Sequence, residues 1–477
     1  MTDGVGFISM NQVKQPALCF AGALAIGCAL FFSFSWALVV VAVGFACAYP
    51  RWLIVIPLAY GMCYLRMPNA PTIDAPTQVS GTFYAKRCVS AQLPFYSGYV
   101  VYGNLDRMPC SIFFSRNAKL PLDGAYPVSG TLKPGGILKP AKGHKWKKIP
   151  GSFSPAGVRH RIKSKLKKHI KACIDKKEAG DFLSAILCGE LENRHMRFYF
   201  SKLGLSHILA ISGLHFGLIA LILSALTIRF LPYTFSLPAL LVILTAYALL
   251  LGDSPSVMRA YFMISLYQIG KMRGRYASPL NLCGAAATIE LLLFPIHITY
   301  AGFILSYSAT LAILLFYPKV NTYLQNAFPK PGHYTGFAAI EPFLGNTLRS
   351  LLAVNIAVHL ALIPIIIALF GHFSPLGLLY NLFVPLLTSF SLCLLIISLL
   401  LGPLGYPLHL FNTHFTTYLL ELIRYPPQLL NIQIRASWLS PSLALIIICA
   451  LFMSAHRRLY MPIKIIGVFL KRRRLKS

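Results

Sequence analysis

One stretch constrains the rest of the chain: residues 204–218, Gly-Leu-Ser-His-Ile-Leu-Ala-Ile-Ser-Gly-Leu-His-Phe-Gly-Leu, which continue apolar through Leu223. It is long enough to cross a bilayer, which takes roughly 20 residues. Yet it carries Ser206, His207, Ser212 and His215 beside Gly204, Gly213 and Gly217. Hydrocarbon offers such polar groups no hydrogen-bond partner, so they must face protein or a water-filled path. Gly213 loosens the helix where they cluster. The stretch reads as a broken, pore-type helix rather than a plain anchor.

The surrounding chain fits a membrane setting. Of 477 residues, 56% are hydrophobic and 12% charged, against about 25% charged in a soluble domain. This predicts a polytopic α-helical membrane protein. The charge is lopsided, with 44 Lys+Arg against 13 Asp+Glu and a net charge of +31. Such an excess draws polyanions: nucleic acid, anionic lipid or both. Met1 to Lys14 lack the layout of a cleavable signal peptide.

Five regions follow in order. Residues 1–66 hold three apolar runs, Ala17–Phe34, Trp36–Tyr49 and Trp52–Leu65, the later two short for full spans. Residues 67–137 alternate apolar and polar positions between Pro, Gly and Asn/Asp turns, which predicts an all-β domain inserted after the N-terminal helices. With about five strands, an OB-like barrel fits. Its aromatics, Tyr84 and Tyr99 with Phe83, Tyr96, Tyr102, Phe113 and Phe114, either stack bases or fill the barrel. Cys88 and Cys110 lie here too. They either pair as a disulfide in an oxidising compartment or remain two buried thiols.

Residues 138–180 form a basic linker. Lys142, Lys145, Lys147, Lys148, Arg159, Arg161, Lys163, Lys167 and Lys168 are its candidates for phosphate or anionic headgroups. Val158, Ile162, Leu166, Ile170 and Ile174 recur every four residues, predicting one apolar stripe on a helix. Residues 181–456 hold the signature stretch and further spans at Thr234–Leu251, Val257–Ile269, Leu280–Leu293, Thr299–Phe316, Leu351–Phe370, Leu376–Leu401 and Leu443–Met453. Asn321–Asn346 is expected to be a polar loop, and Pro407–Leu430, half apolar, an interfacial segment. Residues 457–477 end in a basic tail, Lys471 to Arg474. The short loop Lys271-Met272-Arg273-Gly274-Arg275 marks cytoplasm by the positive-inside rule. Three crossings back, Gly204 and the β domain fall outside.

Ser212 and His215, three apart, share a helix side and invite an intramembrane hydrolase reading. No carboxylate lies on that span to orient the base, and Glu190 and Glu192 precede it. Asp253, Arg259 and Glu290 are ionisable groups at or within spans, hence functional candidates with internal pairing as the alternative. Metal motifs and phosphate-cradling Gly-x-x-x-x-Gly-Lys-Ser/Thr loops do not occur, and no cofactor is expected.

The run Gly-Leu-Ser-His-x-Leu-Ala-Ile-Ser-Gly-Leu-His resembles the signature of the ComEC family of competence proteins, inner-membrane channels for transforming DNA. Ala185 to Gly189, Pro255–Ala260, Gly302–Ala309, Phe370–Ser374, Asn381 and Pro385 resemble further family segments. The family's usual Asp-Pro is Phe294-Pro295 here. The resemblance implies a multi-pass protein of the bacterial inner membrane that imports single-stranded DNA. Ser206, His207, Ser212, Gly213, His215, Arg259 and Ser306 would line the path. It also implies an OB-like domain at 67–137. Many relatives carry a metallo-β-lactamase-like nuclease domain after the membrane region, and the form expected here lacks it. The partners implied are single-stranded DNA, the bilayer, an extracytoplasmic DNA receptor, a separate nuclease and a cytoplasmic motor, with homo-oligomerisation left open. Two other functions stay open on the residues alone: transport of a small anionic lipid precursor or metabolite, and hydrolysis by Ser212 and His215.

Overall fold

The structure is a computed structural model. It describes residues 15–32, 35–66, 75–93, 96–106, 108–115, 117–118, 120–134, 136–191, 193–209, 212–252, 254–275, 277–327, 340–427, 433–435 and 440–460. Asp253, Glu192, the side chain of Tyr96, the segment 328–339 and the basic tail lie outside the described residues. The chain forms two compact units, residues 1–63, 265–373 and 434–477, and residues 64–264 and 374–433.

The second unit begins with a closed five-stranded barrel. Its strands are β1 (Thr77–Leu93), β2 (Tyr96–Leu105), β3 (Met108–Ser115), β4 (Ala125–Lys133) and β5 (Ile137–Pro140). They run in the order β1-β2-β3-β5-β4, with β3 and β5 parallel and the other pairs antiparallel. Alternation builds it, since successive side chains point to opposite faces of a strand. Burial accordingly alternates along β4, and Phe83, Val101, Leu105, Ile112, Leu132 and Leu138 fill the interior. A register shift between Ala85 and Arg87 bends β1, whose first part pairs with β4 and whose later part pairs with β2. At Gly103 a Cβ would stand 2.7 Å from the Phe83 ring, so the core packing itself requires glycine. Closure by β5 carries the barrel to Pro140.

Next comes α4 (Pro155–Cys173), capped by Ser154, whose hydroxyl accepts the Ala156 N–H at 3.3 Å. The expected apolar stripe does not hold as one face. Each step of four residues advances by roughly 40° around a helix, so the series winds across the surface. Ile170 and Ile174 are buried, Ile162 is exposed, and Lys163 takes an inward position.

α5 (Lys177–Cys188), α6 (Arg194–Lys202), α7 (Ser206–Leu209) and α8 (Gly213–Phe230) follow, then α9 (Tyr233–Leu251) and α10 (Pro255–Met272), whose last turns pass into the other unit. The unit is completed by α14 (Leu376–Leu400) and α15 (Tyr406–Arg424). One core joins Phe182, Leu183 and Ile186 of α5 to Phe200, Leu205, Val384, Leu392 and Leu419. A smaller one joins Phe216, Leu244 and Val257 of α8, α9 and α10.

The first unit packs α1 (Pro16–Phe32) on α11 (Pro279–Leu293), where Gly284 admits the backbone of Leu18. It also contains α2 (Trp36–Ala48), the start of α3 (Val55–Arg66), α12 (Ala301–Ala327), α13 (Ile340–Phe370) and α16 (Pro441–Tyr460). A two-stranded ladder pairs His372 with Arg435 and Phe373 with Ile434. The expected polar loop at Asn321–Asn346 is shorter than predicted, because α12 runs on to Ala327 and α13 starts at Ile340.

Five described helices are long and apolar enough to cross a membrane: Ser206–Phe230 (across a break), Thr234–Leu251, Ala301–Ala327, Gly345–Phe370 and Leu376–Leu400. The pair Ala37–Ala48 and Pro50–Arg66, bent by 120°, makes a sixth if taken as one span. The protein is thus a multi-pass membrane protein.

Candidate functional site

The signature stretch is broken near where its sequence predicted. Gly204 ends α6 in the left-handed region (φ +70°), with the Leu205 N–H returning to Phe200 O at 2.7 Å. Among the described residues α7 covers Ser206–Leu209, and α8 starts at Gly213 after Ser212 in extended backbone (φ −83°, ψ 161°). Ser212 is the N-cap: its hydroxyl accepts the His215 backbone N–H at 3.3 Å, and its carbonyl accepts the Phe216 N–H at 3.1 Å. That Ser212 contact is with the His215 backbone, not the ring of a general base. The His215 ring is buried at 1% exposure, and its Nδ1 has no hydrogen-bond partner among the described residues. Ser206 and His207 are exposed.

Gly213 leaves room for a neighbouring cation. A Cβ there would run into the guanidinium of Arg259, which α10 places against the first turn of α8. A cation therefore stands at a helix start, where backbone N–H groups already give a positive end. Ser206, His207, Ser212, Gly213, His215 and Arg259 all belong to one unit. Ser306 belongs to the other, half-buried on α12, with its carbonyl accepting the Thr310 hydroxyl at 3.0 Å.

The basic region divides into two sets. Lys163 and Lys167, expected to face a ligand, both turn onto Glu190, at 2.7 and 2.9 Å, with side chains 8% and 12% exposed. Lys163 also donates to Leu251 O at 3.3 Å. Burial alone would raise the Glu190 carboxyl, but the two ammonium groups outweigh it and hold it below the usual carboxylate range. Arg159 donates to Lys86 O at 3.4 Å, and Arg161 meets Asp123 at 3.5 Å on an exposed face. These side chains fasten α4 to its surroundings. Lys142, Lys145, Lys147, Lys148 and Lys168 stay exposed.

The barrel aromatics divide likewise. Phe83, Phe114 and Tyr126 ring Trp146, which packs against the barrel core at centroid distances of 6.3, 5.3 and 6.0 Å. Tyr99 is half-buried and meets the His160 ring of α4 at 5.9 Å. Tyr84, Tyr102 and Phe113 remain exposed, at 44%, 48% and 44%. Strand alternation separates Tyr102 and Phe113 from the barrel-filling members of the set, since they lie one residue from the buried Val101 and Ile112. Cys88 and Cys110 are separate buried thiols, so the disulfide alternative does not hold in this structure. Burial pushes them up to about 12 and about 11.

Of the other ionisable candidates, Glu290 is fully buried, bonded to His297 Nδ1 and to the Tyr307 hydroxyl, each at 2.9 Å. It ties the end of α11 to the following turn and to α12.

The competence protein family model matches residues 190–459, more than half of the chain. The chain belongs to the competence protein family. The matched region opens at Glu190 and includes the signature stretch, Arg259 and Ser306, leaving the barrel and α4 outside. ComE operon protein 3 of Bacillus subtilis (strain 168) is 32% identical over 176 residues, which is 35% of this chain and 22% of that protein. An uncharacterized protein of Aquifex aeolicus (strain VF5) is 38% identical over 117 residues, 24% of this chain and 27% of that protein. The chain thus aligns with about a quarter of the length of these curated relatives. No solved structure matches.

Proposed function

We propose that this chain is a conduit of the bacterial inner membrane through which single-stranded DNA enters the cytoplasm during competence. The observation that carries the reading is the Arg259 guanidinium set against Gly213 at the restarted end of the signature helix. Ser212 occupies the N–H groups of His215 and Phe216, while those of Gly213 and Leu214 have no partner among the described residues. A helix start with open N–H groups and an adjacent guanidinium is suited to a passing phosphodiester.

The strand order of the barrel, with β3 and β5 parallel, supports an OB-like reading. On the outer side of the membrane, Tyr84, Tyr102 and Phe113 would stack bases, and the exposed lysines from Lys142 to Lys148 would hold phosphates. A receptor and a motor would be separate proteins.

The test is cytoplasmic entry of labelled DNA in cells lacking this chain, rescued by wild type, Arg259→Lys or Arg259→Ala. The alanine variant is expected to lose about 10- to 100-fold in entry, the worth of one charge-assisted hydrogen bond, with DNA held outside the cytoplasm. Lysine should recover part of it, being a point charge without the planar fork. Entry unchanged by loss of the whole chain would sink the conduit and favour transport of a small anionic lipid precursor or metabolite.

A further inference from the structure

α15 does not read as a span from its sequence. It carries His409, Asn412, Thr413, His414, Thr416 and Thr417 within 19 residues. The fold places four of those six side chains inside. His409, Asn412, Thr413 and Thr416 are buried, as are Thr388, Ser391 and Ser398 on the facing helix α14. The Ser391 hydroxyl donates to Asn412 Oδ1 at 2.7 Å and meets the Thr416 hydroxyl at 2.7 Å, and Asn412 Nδ2 donates to Ser391 O at 3.1 Å. Towards the turn, Ser398 and His409 Nδ1 share a bond of 3.2 Å. At the far end, the Tyr380 hydroxyl donates to Leu422 O at 3.1 Å.

These contacts fix a register. Ser398 faces His409, Ser391 faces Asn412 and Thr416, and Tyr380 faces Leu422, so α15 runs back beside α14. From Tyr380 to Ser398 the two helices share about 27 Å, close to the thickness of the hydrocarbon core. The side of α15 turned away from the seam is mostly apolar: Leu410, Phe411, Tyr418 and Leu422 are exposed, Phe415 packs on Phe390 of α14 at 5.2 Å, and the exposed carboxylate, Glu421, stands in the last turn of the helix. That surface continues onto the exposed Leu379, Leu386, Phe390 and Ile397 of α14. Exposed Tyr406 and Tyr425 stand at the two ends, where membrane helices carry their aromatic belts. His414 is the one exposed imidazole on that outer side.

We propose that α15 crosses the bilayer as an inside-out partner of α14, with acyl chains covering its apolar side. An interfacial helix would bury its apolar side in lipid and keep its polar side in water. Here the polar side is used up by α14, and the long apolar helix beside it has no reason to leave the membrane. This inference is independent of what the protein transports.

The test uses the full chain with Leu404→Cys at the turn and, separately, Pro427→Cys beyond α15. Each is treated with a membrane-impermeant maleimide from either side of sealed vesicles. The label is located by mass spectrometry, so the native cysteines stay in place. Crossing predicts that the two positions label from opposite faces. Labelling of both from the same face overturns the proposal. Where either variant fails to reach the membrane, nitroxides at Phe411→Cys and Tyr418→Cys decide. Greater access to oxygen than to a water-soluble nickel chelate at both is expected, and the reverse at both overturns it.

Discussion

Glu190 shows how one residue governs a cluster of charges. It lies just beyond α5 and its one carboxylate is shared by two lysines drawn inward from α4. Replacing it with glutamine leaves two largely buried ammonium groups without their carboxylate, and breaking a buried pair in this way costs about 3–5 kcal/mol. Glu190→Gln should therefore lower the melting temperature of the detergent-solubilised protein, whereas Lys168→Ala, on the exposed side, should leave it unchanged. Equal melting of the two variants would remove the structural role given to Glu190. The pH dependence follows with its sign. The folded carboxyl lies below its ordinary value, so its stabilisation is complete above the usual carboxylate range and is lost as pH falls through the depressed value. Wild type should lose stability in acid on this account, and Glu190→Gln should lose less over the same interval. Nothing in the local sequence distinguished Lys163 from Lys165 or Lys168. The difference lies in which residue faces Glu190, separated from Lys163 by a hairpin of helices. Gly213 was more legible, since a glycine beside polar residues in an apolar run already predicted a break. Its second reason, the guanidinium of Arg259, needed the fold. If the chain is a DNA conduit, Gly213→Ala should impair entry, and pairing it with Arg259→Ala should show a non-additive effect, because the added Cβ displaces that side chain.

At the scale of elements, the barrel was readable because alternation is a local signal, and β1 to β4 lie within the residues 67–137 that alternation marked. α4 was readable as a helix but not in its orientation, because a four-residue repeat drifts around the axis. α15 was the hardest. An averaged hydropathy sees Asn412, Thr413 and Thr416 as evidence against a span, although they are the groups a neighbouring helix satisfies. If the seam joins the two helices, Asn412→Leu removes its centre and should destabilise the protein by about 1–2 kcal/mol, at the upper end of hydrogen bonds measured between membrane helices. Thermal unfolding in detergent reads the effect. His414→Leu, on the outer side, should be neutral or mildly stabilising, and an Asn412→Leu protein as stable as wild type would show that packing alone holds the pair.

For the whole molecule the governing quantity is its store of basic residues, 44 Lys+Arg against 13 Asp+Glu, and the structure divides that store by use. Part of it is spent internally, on Glu190, on Asp181 through Lys171 at 2.6 Å, and on Glu178 through Arg424 at 2.6 Å. Such pairs release no counterions when a polyanion arrives. The exposed lysines from Lys142 to Lys148 remain, on the segment that follows β5 and bears Trp146. If they bind the phosphates, log affinity of the full-length protein for a single-stranded oligonucleotide should fall linearly with log salt. Converting Lys142, Lys145, Lys147 and Lys148 together to alanine should then reduce the slope by about 0.7 for each phosphate no longer neutralised. Lys163→Ala should leave the slope alone, because that charge is already matched. Tyr84→Ala, Tyr102→Ala and Phe113→Ala address a different component, about 1–3 kcal/mol per stacked base, which persists at high salt. Fluorescence anisotropy across a salt series separates the two. A quadruple variant with an unchanged slope would move phosphate binding elsewhere, and aromatic variants that weaken binding only at low salt would return those rings to plain surface.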